Sequence, residues 1–356
     1  MKLVTFRTEP GWRDRGGVIE GSDVVDLAHA FAWYEREAGR PCDDAALRDR
    51  YGEGVLGFIE NAPTARPAAD AVVDALRSGR LPRAFDGRLL SFPLASVTLR
   101  APLPSPPSLR DGYAFRQHVE AARRGRGLPM IPEFDRFPVF YFSNHRGIVG
   151  PGDVAVRPLH LERLDYELEA AVVVGRRGID MSAEEADRAI FGLTILNDWS
   201  ARALQLEEMK LNLGPAKGKD FATSMGPYLV TVDELADRTT RTDRGSVFDL
   251  EMRASVNGTE LSRGNLRDMS FTFAEILARA SYGVELVPGD VVGSGTCGTG
   301  CLLELNASRS RPGSGDAGDL PSNATDQLWL AAGDAVVLEI DGLGRLENRV
   351  VLYKGR

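Results

Sequence analysis

Residues 165–175 read DYELEAAVVVG, and this stretch decides how the rest of the chain is read. The small and β-branched run AAVVV, closed by Gly175, has the length and composition of a strand. A strand sends alternate side chains to one face, so Glu167 and Glu169 point together. Their Cα atoms lie roughly 6–7 Å apart by strand rise, close enough for both carboxylates to reach one cation. Without a cation the two charges repel each other. The alternative is a solvated strand face that holds nothing.

A third carboxylate, Asp198, follows the apolar run AIFGLTILN, where a strand ends and the helical stretch WSARALQ begins. Such junctions often carry function, although a helix N-cap would also place an Asp there. Oxygen donors of this kind suit magnesium, calcium or manganese, whereas zinc or copper favours His or Cys.

Outward from this stretch the pattern is mostly β. The segments VFYFSN, GPYLVTV, VFDLEMRASVNG, GDVVGSG, CLLELN and DAVVLEI are short apolar runs separated by Gly, Pro and Asp turns, and each reads as a strand. Helical spacing interrupts them at residues 111–124, 182–191, 198–206 and 272–281. The chain opens with KLVTFRT and GGVIEGSDVVDL, which read as short strands, followed by one or two helices between Asp43 and Arg80. The Pro-rich APLPSPPS at 101–108 marks a boundary. The expected organisation is a small α+β domain over 1–100 and a larger, mainly β domain over 101–356. Residues 307–326, rich in Gly, Ser, Pro and Asp, read as an inserted surface loop or a lid.

The net charge of −8 over 356 residues supplies no basic footprint for nucleic acid. No run of about 18 apolar residues offers a membrane span, and MKLVTFRTEP meets Glu9 and Pro10 before a secretory core develops. A cytoplasmic location is expected. Cys42, Cys297 and Cys301 are too few for a disulfide framework. The C-x3-C pair lacks any Cys or His after it to complete a zinc site.

Seven strings occur in order: RDGYAFRQH, FPVFYFSNH, DYELEAAVVVG, LNDWSARALQ, LGPAKGKDFATSMGP, GSGT and GDAVVLEIDGLGRLENRV. In that order they resemble the fumarylacetoacetate hydrolase family over roughly residues 100–356. The first hundred residues are similar to the family's small N-terminal domain only loosely. The resemblance implies an α+β, mainly β fold with a mixed β-sheet roll, usually as a homodimer. It implies a divalent cation (Mg2+, Ca2+ or Mn2+) held by Asp111, Glu167, Glu169 and Asp198. Lys219 and Thr223 would sit beside it, with Tyr113, Tyr141, Gln205 and Thr296 lining the substrate pocket. A substrate-binding arginine is expected among Arg123, Arg124 and Arg126, with Arg126 carried as the candidate. His118 matches the family's general base and Glu304 its orienting partner. Because His118 follows Asp111 by seven residues, a helix would set both on one face.

The function implied is hydrolysis of a carbon–carbon bond in a 1,3-diketo acid, an acylpyruvate or a fumarylacetoacetate-like compound. The same fold also implies alternatives: decarboxylation, isomerisation or dehydration of a 2-oxo acid, or a metal-binding protein without catalysis. The FYFSNH stretch departs from the tyrosine-degrading enzyme, so the groups meeting the far end of the substrate are expected to differ.

Overall fold

The computed structural model describes residues 1–8, 13–124, 127–309 and 327–354. The fold is α+β and mainly β, built on a twelve-stranded sheet. Leu168–Val174 lies at its centre, antiparallel to Ile190–Asp198 on one side and to Val291–Gly293 on the other. Beyond Ile190–Asp198 come Thr223–Thr231 and then the amino-terminal strand Lys2–Arg7. Beyond Val291–Gly293 come Leu109–Gly112, in parallel, and Phe140–Ser143. The strands of the first hundred residues thus continue the same sheet, joined through Lys2 opposite Val230 and Leu3 opposite Leu229.

Both faces of the central strand are covered, which is why it reads as an unbroken apolar run instead of an alternating one. Leu168, Ala170, Val172 and Val174 pack toward a five-stranded sheet whose inward residues include Met252, Ala254, Leu338 and Ile340. Ala171 and Val173 share the opposite cluster with Phe31, Phe58, Ile59 and Val72 from the amino-terminal helices. Those helices are Leu27–Glu37, Asp44–Tyr51, Gly54–Glu60 and Ala62–Arg77. Three therefore fall in the segment expected to hold one or two, and the first follows directly on the stretch GGVIEGSDVVDL read as β, where no helix was expected. Its start is fixed by Asp26, whose side chain accepts from the His29 amide.

Two helices form where their capping signals stand. Ser182 and Glu185 cap Ala183–Ala189 reciprocally, and Thr272 and Glu275 do the same for Phe273–Ala280. Two other expectations are corrected. Asp111 belongs to the strand Leu109–Gly112, and the helix begins only at Arg116, so Asp111 and His118 do not share a helical face. All of CLLELN after Cys301 is helical, within Leu302–Arg309, because the Asp165 carboxylate accepts from the amides of Leu302 and Leu303 and caps it from a distant part of the chain. Of the inserted loop expected at 307–326, residues 310–326 lie outside the described residues, as does Arg126. No described helix is long and apolar enough to cross a membrane.

Candidate active site

Six neighbouring strands end at one edge of the large sheet, and their register gathers the polar residues there. Asp111 lies between Gly293 and Tyr141, Glu169 is opposite Leu196, and Asp198 closes its strand opposite Thr223. A Cβ on Gly293 would stand 2.3 Å from Asp111 Oδ1, so glycine is what lets that carboxylate lie over the neighbouring strand. Gly218 does similar work next to Lys219, since a Cβ there would sit 2.7 Å from Gln205 Cα.

The carboxylates converge. Asp111, Glu167 and Glu169 each offer an oxygen within 4.8 Å of the others, all buried. Asp198 joins them through two shared groups. Lys219 Nζ donates to Asp198 Oδ2 at 2.6 Å and to Glu167 Oε2, and the Tyr141 hydroxyl donates to Asp198 Oδ2 and, at 3.1 Å, to Asp111 Oδ2. Thr296 Oγ1 donates to Glu169 Oε1 at 3.2 Å. Asp198 is not a helix cap, because the helix Arg202–Met209 starts from Ala201.

Burying this much negative charge is costly, and the side chains share the cost unequally. Burial, reinforced by the Asp198 carboxylate, pushes Asp111 up to about 7. Burial and the charges of Asp111 and Glu167 push Glu169 well above the usual carboxylate range. Burial also raises Asp198. Glu167 goes the other way, because the Lys219 and Arg202 charges outweigh its burial and hold it below the usual range. Those same carboxylates, with Asp198 foremost, keep the buried Lys219 ammonium charged.

Within this cluster two oxygens, Glu169 Oε2 and Asp198 Oδ1, are buried without any hydrogen-bond partner. Such orphaned acceptors are rare in folded proteins and call for an ion or a proton. An all-oxygen, carboxylate-rich donor set with orphaned lone pairs fits a hard divalent cation.

His118 lies beside this cluster on the helix Arg116–Arg124, and its Nδ1 is 3.0 Å from Glu304 Oε2. Both side chains are buried, and Tyr113 meets the imidazole edge to face with ring centroids 5.9 Å apart. Cys301 offers its sulfur within 4.8 Å of the same two side chains, a proximity the C-x3-C spacing had no means of showing.

A cavity of ≈ 550 Å³ unites these parts. Asp111, Glu167, Glu169, His118, Lys219 and Arg202 line it, together with Tyr113, Tyr141, Gln205 and Thr296. Arg123 lines it as well, with Nε donating to Pro129 O at 2.5 Å. Thr223 and Asp198, buried opposite each other, both lie behind the residues that line the cavity.

Sequence reasoning missed Arg202. Only 2 % exposed, it donates from Nε to Asp165 Oδ2 at 2.9 Å, from Nη2 to Glu167 Oε1 at 2.8 Å, and from Nη1 to Gln205 Oε1 at 2.9 Å. Since Asp165 also caps the helix that carries Glu304, one buried guanidinium ties the carboxylate cluster to the histidine side of the cavity. The available signal was its place three residues before Gln205, one turn away on the same face.

Comparison with known proteins places this arrangement. The sequence profile described as Fumarylacetoacetate (FAA) hydrolase C-terminal matches residues 108–351. The chain belongs to the fumarylacetoacetate hydrolase family. Within it, the chain is 30% identical to a mitochondrial oxaloacetate tautomerase of Bos taurus over 311 residues, covering 86% of each chain. It is also 30% identical to the fumarylacetoacetase of Bos taurus over 389 residues, covering 94% of this chain and 88% of that one. The fold matches maleylpyruvate hydrolase from Sphingobium sp. SYK-6, solved with manganese(II) and pyruvate, with a TM-score of 0.64 at 20% identity, over 99% of this chain and 100% of that chain. Family members thus include hydrolases and tautomerases, and the family alone does not choose between them.

Proposed function

We propose that this protein is a divalent-metal-dependent hydrolase that cleaves a carbon–carbon bond in a 1,3-diketo acid, of the acylpyruvate or fumarylacetoacetate type. The observation that carries this reading is the buried His118–Glu304 pair at 3.0 Å, whose imidazole lines the same cavity as Asp111, Glu167 and Glu169. A tautomerase needs to move a proton along a carbon–oxygen framework. A hydrolase must also generate a water nucleophile, and a histidine fixed by a carboxylate is suited to that task.

In this reading Asp111, Glu167, Glu169 and Asp198 hold the cation. When bound, it supplies Lewis acidity toward the oxygens of a 2-oxo acid and stabilises enolate charge. The hard donor set favours Mg2+, Mn2+ or Ca2+. With its own proton on Nδ1 and directed to Glu304, the His118 ring keeps the Nε2 lone pair and takes a proton from water. The hydroxide oxygen bonds to the distal carbonyl carbon. The bond from that carbon to the methylene breaks, leaving a carboxylic acid and the enolate of a 2-oxo acid, which His118 can reprotonate. Lys219 stays cationic and stabilises the enolate oxygen electrostatically, while Tyr141 and Gln205 position the substrate.

The division into a small domain over 1–100 and a catalytic domain over 101–356 and assembly as a homodimer are carried as parts of the same proposal. The tautomerase relative keeps a second reading in view. Metal-stripped protein, supplied separately with magnesium, manganese or calcium, should convert acylpyruvates into pyruvate and a carboxylic acid. A product of unchanged mass would mean isomerisation, and carbon dioxide would mean decarboxylation.

A further inference from the structure

Three helices wall the cavity, and each begins beside its polar end. The helix Arg202–Met209 presents Arg202 and Gln205 first, then Leu206 and Met209, the residues that fall on one face at spacings of three and four. Arg202 is 2 % exposed and Met209 is 39 % exposed, so this face runs from the carboxylate cluster outward. The distance covered is roughly 10 Å by helical rise. The helix Arg116–Arg124 repeats the gradient from His118 to Val119 and Ala122, and Leu302–Arg309 contributes Leu303 and Ala307. Ile131, Val139 and Pro215 complete the outer wall. Among the described lining residues, the one charged side chain in this outer part is Arg123, and its Nε is already committed to the Pro129 carbonyl.

From this gradient we infer that the cavity takes a substrate whose far end is apolar: an acylpyruvate with an aliphatic or aromatic acyl tail, and not one ending in a second carboxylate. The inference rests on the proposed reading of the carboxylate end as the seat of the 2-oxo acid head. A tail carboxylate set against Leu206, Met209, Val119 and Ile131 would exchange water for apolar wall, with Arg123 the one guanidinium near it among the described lining residues. Alkyl carbon in the same place removes apolar wall from water, and each methylene so buried is worth about a fourfold gain in affinity. The cavity of ≈ 550 Å³ falls within the range of sites that enclose a whole small ligand.

The test is binding, which does not depend on turnover. Calorimetry on the full chain loaded with manganese would compare pyruvate, 2-oxobutanoate, 2-oxohexanoate, 2-oxooctanoate and the diacid 2-oxoadipate. Affinity should rise about fourfold for each methylene along the monoacid series, and 2-oxoadipate should bind at least about tenfold more weakly than 2-oxohexanoate. Met209→Glu, at a partly exposed position, should flatten the series while pyruvate binds as before. In Arg123→Ala the order should persist, with 2-oxohexanoate binding more tightly than 2-oxoadipate. If pyruvate binds but affinity is flat along the series, or if 2-oxoadipate binds best and loses that advantage in Arg123→Ala, the apolar tail is overturned and the head site stands. If no 2-oxo acid binds to the manganese-loaded protein, head and tail fall together.

Discussion

His118 Nδ1 stands 3.0 Å from Glu304 Oε2 across 186 residues of chain, and this contact sets which ring nitrogen faces the cavity. If the pair prepares a water nucleophile, His118→Ala should lower kcat by about 10²–10⁴. Glu304→Gln should lower it less, by releasing the ring's orientation. Metal affinity, measured by calorimetry, should stay within a few-fold of the parent in both variants. Unchanged turnover in His118→Ala would remove the histidine from the chemistry.

The carboxylate cluster predicts a pH-dependent response to metal. Asp111 is pushed up to about 7 by burial and by Asp198, and Glu169 is raised well above the usual carboxylate range by burial and by Asp111. A carboxyl raised on folding lends stability below its unfolded value, and that stability is lost as pH rises through the folded value. Metal-free protein should therefore weaken between about pH 4 and pH 7. A divalent cation needs the ionised ligands and displaces their protons, so its stabilising effect grows over the same window. The gap in Tm between manganese-loaded and stripped protein should widen from about pH 5 to about pH 8. A gap independent of pH would contradict the assignment of these carboxyls as ligands.

Arg202 is the structural link between the two halves of the cavity. Its guanidinium bridges Asp165 and Glu167, with side-chain exposures of 3%, 0% and 7% for the three residues. Arg202→Met leaves the buried Asp165 carboxylate without its cation and Glu167 with Lys219 alone, a loss of about 3–5 kcal/mol. Urea unfolding of the metal-free variant should show a loss of that order, and a change below about 1 kcal/mol would mean that the bridge is not holding the site together.

Gly293 supplies a sharper probe of Asp111. Because an added Cβ would stand 2.3 Å from Asp111 Oδ1, Gly293→Ala should displace that carboxylate while leaving the sheet paired. Manganese affinity is expected to fall about 10- to 100-fold, the usual effect of disturbing a ligand's support. Affinity equal to the parent would place Asp111 outside the coordination set.

What the sequence disclosed follows from how local each signal is. Glu167, Glu169 and Asp198 were legible because alternation and a strand end are features of a few neighbouring residues. The helices expected at 182–191 and 272–281 were legible for the same reason, since each is capped by residues next to it in sequence. Asp111 was placed on a helix because the seven-residue interval to His118 mimics two helical turns, while the strand partners that claim it, Gly293 and Tyr141, are remote in sequence. CLLELN looked like a strand because its helical cap, Asp165, lies 137 residues away from Leu302. Arg202 had only its spacing from Gln205 as a local mark, since its worth comes from a guanidinium meeting Asp165 and Glu167 in the interior.

The central claim is that water is added across a carbon–carbon bond. The direct measurement is turnover of an acylpyruvate by manganese-loaded protein in water enriched in oxygen-18, with mass spectrometry of the fragments. Water attack at the distal carbonyl predicts one labelled oxygen in the carboxylic acid fragment, formed about 10²–10⁴ more slowly in His118→Ala. A substrate recovered at its original mass as a tautomer, with no acid fragment formed, would contradict hydrolysis and leave the protein an enolate isomerase.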